Sequence, residues 1–266
     1  LDLGDIQIIN PVISEKFDLY CNTYHKLRHL QGVTRYDAQR LLKLGHYFAT
    51  MMVYHDDADG FLGICHNYHE EMLPAFQIIE TVKADTKTAF LFILISKKKV
   101  YFLADTGAII DPTPEELAEI AIQSSKIVRL FDMVPRVAML SFSNFGSIDH
   151  PLTKKVQLAV KIARKRKPDL MIDGEMQGDT AIDPRIREEM YPFSQLKGGA
   201  NVLIFPELQS GNIAMNLLRQ LGNVESIGPI QLGLSKPVHV IRWSASVEEI
   251  VRLSAFCVVD AQKWLM

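Results

Sequence analysis

Alternating apolar and polar segments near the end of the chain predict two successive strand–turn–helix units. The apolar run 201–206 closes in a proline and is typical of a buried strand. Residues 213–221 carry apolar side chains at helical spacing, with Ser210 and Asn212 as expected N-caps. A second apolar strand covers 227–233. Polar turns at the carboxyl ends of strands are where open α/β sheets bind ligands, so these turns are the first place to look for a site.

The same pattern predicts interleaved strands and helices along the whole chain. Two strands, 88–95 and 100–105, flank a basic turn and should form a hairpin. The helix at 114–131 has Thr113 as a cap and Pro114 in its first position. The remaining predictions are strands at 5–10, 61–64, 137–140 and 170–172, and helices at 17–30, 36–44, 46–54, 153–167 and 247–263. This alternation is typical of the α/β class.

Composition excludes several classes of function. The 266 residues include 29 basic and 31 acidic side chains, a net charge of −2, which favours neither a nucleic-acid nor an anionic-membrane partner. Cys21, Cys65 and Cys257 form no disulfide framework or metal-ligand pattern, so a reducing cytoplasm is expected. No apolar run is long enough to span a bilayer, and no signal peptide opens the chain.

Two polar segments after predicted strands carry side chains suited to a site. The loop 141–147 offers hydroxyls and backbone N–H groups that suit a phosphate or carboxylate, with an ordinary strand–helix loop as the alternative. Asp173, Glu175 and Asp179 suit either a general base or the orientation of loops by accepting N–H bonds, and orientation is favoured. No metal site is predicted, because the nearest potential ligands lack metal-binding spacing: His66, His69 and Glu70.

Several motifs resemble those of the phosphate acetyl/butyryltransferases. They are Leu73–Ile79, Asp111–Ile120, Val137–Ser143, Asp169–Gln177, Ala200–Pro206, Gly211–Ile213, Ile227–Ile230 and Gly233–Pro237. The resemblance implies two three-layer α/β subdomains with a cleft between them, as in isocitrate and isopropylmalate dehydrogenases. It assigns 1–79 plus 242–266 to the first subdomain and 80–241 to the second, inserted one. It also implies an initial βα segment before Leu1 and a homo-oligomer, at least a dimer.

The chain departs from that family's pattern at the positions that carry catalysis. The resemblance places the family's Ser–Arg pair on Arg242 and Trp243, and its catalytic Asp on Glu249. An arginine of the family falls on Leu73. Because guanidinium and indole cannot supply what a hydroxyl and a guanidinium supply, these departures predict an inactive transferase with no assigned catalytic residue.

A second resemblance suggests what such an inactive domain would do. Ser143–Ser147, Asp173–Met176 and Val259–Gln262 are similar to the carboxy-terminal domain of hybrid malic enzymes. The resulting hypothesis is a regulatory and oligomerisation domain that senses acetyl-CoA, or a related acyl-CoA or acyl phosphate, for a malic enzyme domain of the same chain. That domain would use NADP and a divalent metal, whereas this segment would hold no cofactor. The alternatives are an active phosphate acetyl/butyryltransferase that makes acetyl phosphate from acetyl-CoA, and a purely structural dimerisation module.

The residues expected to bind the ligand are polar side chains that the resemblance places facing the cleft. One of them, Arg28, matches an arginine that the family uses for its ligand. The full set is Arg28, Ser141, Ser143, Asn144, Ser147, Asp173, Asn212, Lys236 and Arg242, with Trp243 facing the same cleft.

Overall fold

A computed structural model of the chain describes residues 4, 6–66, 68–79, 81, 88–96, 99–104, 109–222 and 224–262, without the side chains of 68–70. The helices are α1 (Phe17–Arg28), α2 (Arg35–Leu41), α3 (Gly45–Tyr54), α4 (Tyr68–Ile78), α5 (Pro114–Arg129), α6 (Pro151–Arg166), α7 (Gly178–Ile182), α8 (Pro184–Met190), α9 (Leu208–Leu221) and α10 (Val247–Gln262). The strands are β1 (Phe61–Cys65), β2 (Ala89–Ser96), β3 (Lys99–Ala104), β4 (Arg136–Leu140), β5 (Met171–Met176), β6 (Val202–Ile204), β7 (Glu225–Leu232) and β8 (Val238–Arg242). The predicted α/β class is confirmed.

The chain divides into two compact units. Unit 1 comprises Leu1–Glu80, Leu234–Ser244 and Phe256–Met266, and unit 2 comprises Thr81–Gly233 and Ala245–Ala255. In this division the chain re-enters unit 1 at residue 234, whereas the sequence-based prediction places this re-entry at residue 242. The assignment of residues to two subdomains stays a prediction.

Unit 1 is built around the parallel strands β1 and β8, which pair from Phe61 opposite Val238 to Cys65 opposite Arg242. Helices α1, α3 and α4 pack around this pair with a core that includes the fully buried Tyr24, Met51 and Met72. Burying side chains of this size contributes roughly 1.5–3 kcal/mol each. The core therefore fixes the ends of β1 and β8, from which the next residues project.

Unit 2 contains a six-stranded sheet in the order β5-β4-β6-β3-β2-β7. Neighbouring strands β5, β4, β6 and β3 run parallel, and β2 is antiparallel to both β3 and β7. In β4 the successive residues 137–140 are all buried, as expected when helices cover both faces of a sheet. Helices α5 and α6 pack against each other, while Met215 of α9 and Ala181 of α7 pack with Ala138 and Leu203 in a separate cluster.

Local sequence signals place several elements correctly. The predicted hairpin is confirmed as β2 and β3, and the residues at its tip lie outside the described part of the chain. Thr113 caps α5 by accepting a hydrogen bond from the Glu116 N–H, and Pro114 opens the helix as predicted. Within the described residues no helix combines the length and apolar character needed to cross a bilayer.

Three predictions about elements are wrong. Residues 6–10 form no strand, because no strand of the described residues pairs with their main chain, and Ile6 and Ile8 are exposed. Helix α9 is capped by Glu207, whose carboxylate accepts hydrogen bonds from the N–H groups of residues 209 and 210, rather than by Ser210 or Asn212. Strand β5 continues to Met176, so Asp173 and Glu175 lie within it rather than after it.

Candidate functional site

The topology of unit 2 marks one crevice as the expected ligand site. From β4 the chain passes through α6 to β5 on one side, whereas from β6 it passes through α9 to β7 on the other. The two parallel strands are neighbours, so their connections diverge between their carboxyl ends. Open α/β sheets bind ligands at such switch points. The loop that follows β4, residues 141–150, lines this crevice.

A buried carboxylate holds the first part of that loop, residues 143–147. Glu175 Oε1 accepts a hydrogen bond from the Ser143 hydroxyl at 2.9 Å and another from the Gly146 N–H at 2.7 Å. The Phe145 N–H donates to the Glu175 main-chain oxygen at 2.8 Å. Ser143 and Glu175 are both completely buried. The loop's predicted anion cradle therefore exists, but the carboxylate of Glu175 occupies it.

The other polar groups of the 143–147 loop also bond within the protein. Ser147 Oγ accepts from the Asn144 N–H at 3.1 Å and lies 3.1 Å from Ser143 Oγ. The Asn144 side chain exchanges two hydrogen bonds with Gln177, one to its Oε1 and one from its N–H. Of the predicted ligand-binding residues in the loop, Ser147 is exposed, Asn144 is half-exposed and Ser143 is buried, while Ser141 just before the loop is half-exposed.

The buried Asp173 carboxylate bonds to other residues of unit 2. Its Oδ1 pairs with Arg164 at 2.5 Å, and its Oδ2 accepts hydrogen bonds from the Ser194 hydroxyl and the Gln195 N–H at 2.8 and 2.7 Å. The next residue, Gly174, has a φ of +141°, and a Cβ there would lie 2.6 Å from the Met139 carbonyl oxygen. Asp173 thus orients a loop by accepting N–H bonds, which is the favoured sequence interpretation of these acids.

The predicted residues on α9 and α10 also have structural partners. Asn212 is exposed and its side-chain oxygen accepts a hydrogen bond from the Asn216 amide at 3.0 Å. Both carboxylate oxygens of Glu249 are engaged. One accepts from the Ser246 N–H at 2.9 Å, and the other pairs with Arg219. Glu249 therefore caps the start of α10.

The predicted cations of unit 1 differ in whether they are free to bind an anion. Lys236 donates to the Val53 and Tyr54 carbonyls at 2.8 and 3.1 Å and pairs with Asp56 at 2.5 Å, so it closes the end of α3. Among the described residues, neither the half-buried Arg28 side chain nor the exposed Arg242 side chain has a hydrogen bond or ion pair, and the buried Arg28 Nε lacks any partner.

Arg242 is the last residue of β8, opposite Cys65 at the end of β1, and Trp243 follows it. The main-chain N–H of Trp243 donates to the Cys65 carbonyl at 2.8 Å. The Trp243 indole lies over the His66 ring, with centroids 4.5 Å apart. Trp243 nevertheless remains 67% exposed. Arg242 has no side-chain partner in the described part of the chain, and a guanidinium at the carboxyl end of one of two parallel strands is suited to anionic ligands.

Two of these features go further than the sequence predicts. Glu175 is among the acids expected to orient loops by accepting N–H bonds, but the sequence does not show that its partner is the 143–147 loop. His66 is predicted to be pocket polarity or plain surface rather than a metal ligand, and the sequence does not show its contact with Trp243. The side chains of His69 and Glu70 lie outside the described residues. In the described part of the chain, no three His, Cys, Asp or Glu side chains are grouped to hold a metal ion.

The class of protein follows from comparison with known families. The family model described as phosphate acetyl/butaryl transferase matches residues 1–258. The chain therefore belongs to this family, as its motifs suggest. A phosphotransacetylase from Streptococcus pyogenes has the same fold, with a TM-score of 0.91 and 37% identity across 98% of this chain and 79% of that one.

Individual relatives refine this result. The phosphate acetyltransferase of Thermoanaerobacterium thermosaccharolyticum is 40% identical over 270 residues, which cover 98% of this chain and 82% of the relative. The NADP-dependent malic enzyme of Salmonella typhimurium is 39% identical over 267 residues, but these cover only 34% of that enzyme.

These coverages overturn the main functional hypothesis. An inactive acetyl-CoA-sensing domain of a malic enzyme is wrong for this chain, because the match covers 82% of the Thermoanaerobacterium phosphate acetyltransferase but only 34% of the Salmonella malic enzyme. These matches favour the alternative, an active phosphate acetyl/butyryltransferase. The prediction that this segment holds no cofactor stays a prediction.

Proposed function

We propose that this chain is a phosphate acetyltransferase, which moves an acetyl group between coenzyme A and inorganic phosphate. The observation that carries the proposal is the 40% identity to a phosphate acetyltransferase across 98% of the chain. The three described cysteines are free and buried, which fits a reducing compartment, and a cytoplasmic location is part of this proposal.

The reaction sets clear demands on the site. The sulfur of coenzyme A attacks the carbonyl carbon of acetyl phosphate, a C–S bond forms, and the C–O bond to phosphate breaks. The thiol proton leaves with a base or with the departing phosphate. Guanidinium groups suit the phosphoryl oxygens because they donate paired, charge-assisted hydrogen bonds. Arg28 and Arg242 are the predicted cations whose side chains have no partner among the described residues, so we assign phosphate binding to them and a structural role to Lys236.

The chain departs from the family's pattern at Arg242, Trp243 and Leu73, so its transferase activity must be tested directly. Purified chain should form acetyl-CoA from acetyl phosphate and coenzyme A, followed by thioester absorbance. Arg28→Ala and Arg242→Ala should each raise KM for acetyl phosphate by about tenfold, the loss expected for one charge-assisted contact. Arg185→Ala is the matched control, because that arginine is exposed and already paired with Asp183.

Two outcomes bear directly on the proposal. Absence of thioester, under conditions in which the Thermoanaerobacterium thermosaccharolyticum phosphate acetyltransferase turns over, would refute it. If the wild-type chain is active and the two arginine variants behave like the control, the function stands and the assignment of the phosphate site is wrong.

A homo-oligomer remains part of the proposal, supported by the outer face of α9. Ile213, Leu217 and Leu221 stand at helical spacing and are 51%, 53% and 81% exposed. The one charged residue of this helix, Arg219, is paired with Glu249. An apolar face without charge can meet its own copy without repulsion, as a two-fold contact requires.

Light scattering tests this contact. Leu217→Lys should convert a dimer to a monomer, whereas Leu158→Lys should not, because Leu158 is similarly exposed but lies on α6. A wild-type monomer, or a dimer that survives Leu217→Lys, would exclude this interface.

A further inference from the structure

The buried carboxylate of Glu175 in unit 2 is not explained by a gain in the stability of the fold. Glu175 is completely buried, and its second carboxylate oxygen, Oε2, has no hydrogen-bond partner among the described residues. A buried polar atom without a partner costs about 1–3 kcal/mol, and more when it is charged. Since apolar groups could fill the same space at lower cost, the carboxylate needs another explanation.

The conformation of the 143–147 loop supplies that explanation. Phe145 and Gly146 both have left-handed backbones, with φ of +48° and +86°. This conformation is uncommon for a residue with a side chain and stays populated only where its surroundings fix it. The N–H groups of these same two residues are the ones that donate to Glu175, one to its main-chain oxygen and one to its carboxylate.

Consecutive N–H groups in such a turn form a concave anion site. Here the Ser143 hydroxyl completes it by donating to the same carboxylate oxygen as Gly146. Ser143 Oγ also accepts a hydrogen bond from the Ile148 N–H at 3.2 Å, so the carboxylate and the hydroxyl together fix both ends of the loop.

We propose that Glu175 is a positioning residue: its carboxylate fills the anion site of the 143–147 loop and so holds Asn144, which belongs to this loop, at the switch-point crevice. The effect on catalysis rests on the proposed function, but the effect on the loop does not. Because the site is already occupied from within, substrate phosphate binds elsewhere, and Glu175 acts on turnover through the loop.

Amide hydrogen exchange tests the structural half of the proposal without any substrate. In Glu175→Ala, exchange should accelerate at the amides of Phe145, Gly146 and Ile148, because their acceptors are lost or displaced. Glu115→Ala is the matched control, since Glu115 is an exposed glutamate of the same unit. Unchanged exchange in a folded Glu175→Ala protein would overturn the proposal.

Kinetics and chemical rescue test the catalytic half. Glu175→Ala and Glu175→Asp should lower kcat about tenfold or more, since small displacements of catalytic groups are costly, with KM for coenzyme A changed less than about threefold. Formate should restore the activity of Glu175→Ala saturably, because it can enter the emptied anion site. Formate should have no such effect on the Glu115→Ala control.

The outcomes separate this proposal from the proposed function. A wild-type chain without transferase activity refutes the function, while the exchange experiment still decides whether Glu175 holds the loop. An active chain in which Glu175→Ala opens the loop but keeps its kcat overturns the positioning role. If Glu175→Ala does not fold, Glu175→Gln replaces it. Its neutral oxygen accepts weaker bonds, so full activity in both Glu175→Gln and Glu175→Asp would also overturn the role.

Discussion

The indole of Trp243 lies over the imidazole of His66, with ring centroids 4.5 Å apart and planes 25° from parallel. The contact follows from strand register. Cys65 and Arg242 are partners at the ends of β1 and β8, so the next residue of each strand stands beside the other. A hydrogen bond from the main-chain N–H of Trp243 to the Cys65 carbonyl fixes this arrangement. An exposed tryptophan is therefore held in one orientation by a neighbouring ring.

Removing the imidazole should free the Trp243 ring without unfolding the protein. His66→Ala, in a Trp264→Phe background that leaves Trp243 as the single tryptophan, should increase quenching of its fluorescence by acrylamide. The stability loss should stay below about 1.5 kcal/mol, because aromatic pairs contribute about 0.5–1.5 kcal/mol beyond their buried area. His25→Ala is a suitable control, since that ring contacts His29. Equal quenching in both variants would contradict the stacked arrangement.

Lys236 should matter for stability rather than for ligand binding. Lys236→Met removes the donor that satisfies two carbonyls at the end of α3, which should cost about 1–3 kcal/mol of unfolding free energy. Asp56→Asn removes only the exposed partner, with a side chain 85% exposed, and should cost about 0.5 kcal/mol or less. Denaturant unfolding measures both. A stable Lys236→Met variant with a raised KM for acetyl phosphate would instead support the sequence-based ligand prediction.

Elements with strong local signals could be predicted from sequence. Helix α5 has its cap, its proline and its acidic first turn within a few residues of one another, so no tertiary information is needed to place its start. The β2–β3 hairpin is similarly local. The strand predicted at 5–10 has the right apolar pattern, but a strand also needs a partner, and a single sequence does not show where partners lie.

Tertiary contacts decide the features that sequence could not supply. Charged residues are depleted in strands, so Asp173 and Glu175 suggested that β5 had ended. Distant partners, Arg164 for Asp173 and the 143–147 loop for Glu175, make their burial possible. The same contacts explain why the predicted anion-binding loop, 143–147, binds the carboxylate of Glu175. The composition of a loop shows that it can bind an anion, but not which anion reaches it.

Glu249 should prove to be a helix cap rather than a general base. Ser246 and Glu249 exchange hydrogen bonds at the start of α10, and Glu249 also pairs with Arg219. Glu249→Ala should cost about 1–2 kcal/mol of stability, a typical value for a lost cap. Glu249→Gln, which keeps a cap acceptor, should retain kcat within about threefold, because general-base catalysis contributes about a hundredfold or more. Loss of turnover in a stable Glu249→Gln variant would restore the base assignment.

Alkaline pH should destabilise the fold through its buried thiols. Burial raises the pKa of Cys21 and of Cys257 to about 11, because the thiolate loses its hydration. In the unfolded chain these thiols ionise near their ordinary pKa of about 8.5. Their stabilising contribution is therefore complete below that value and is lost as pH rises through the folded pKa. Unfolding free energy measured across this range should fall less steeply in Cys21→Ser/Cys257→Ser than in the wild type. Parallel slopes would show that both thiols ionise equally in the folded and unfolded states, contrary to their burial in the structure.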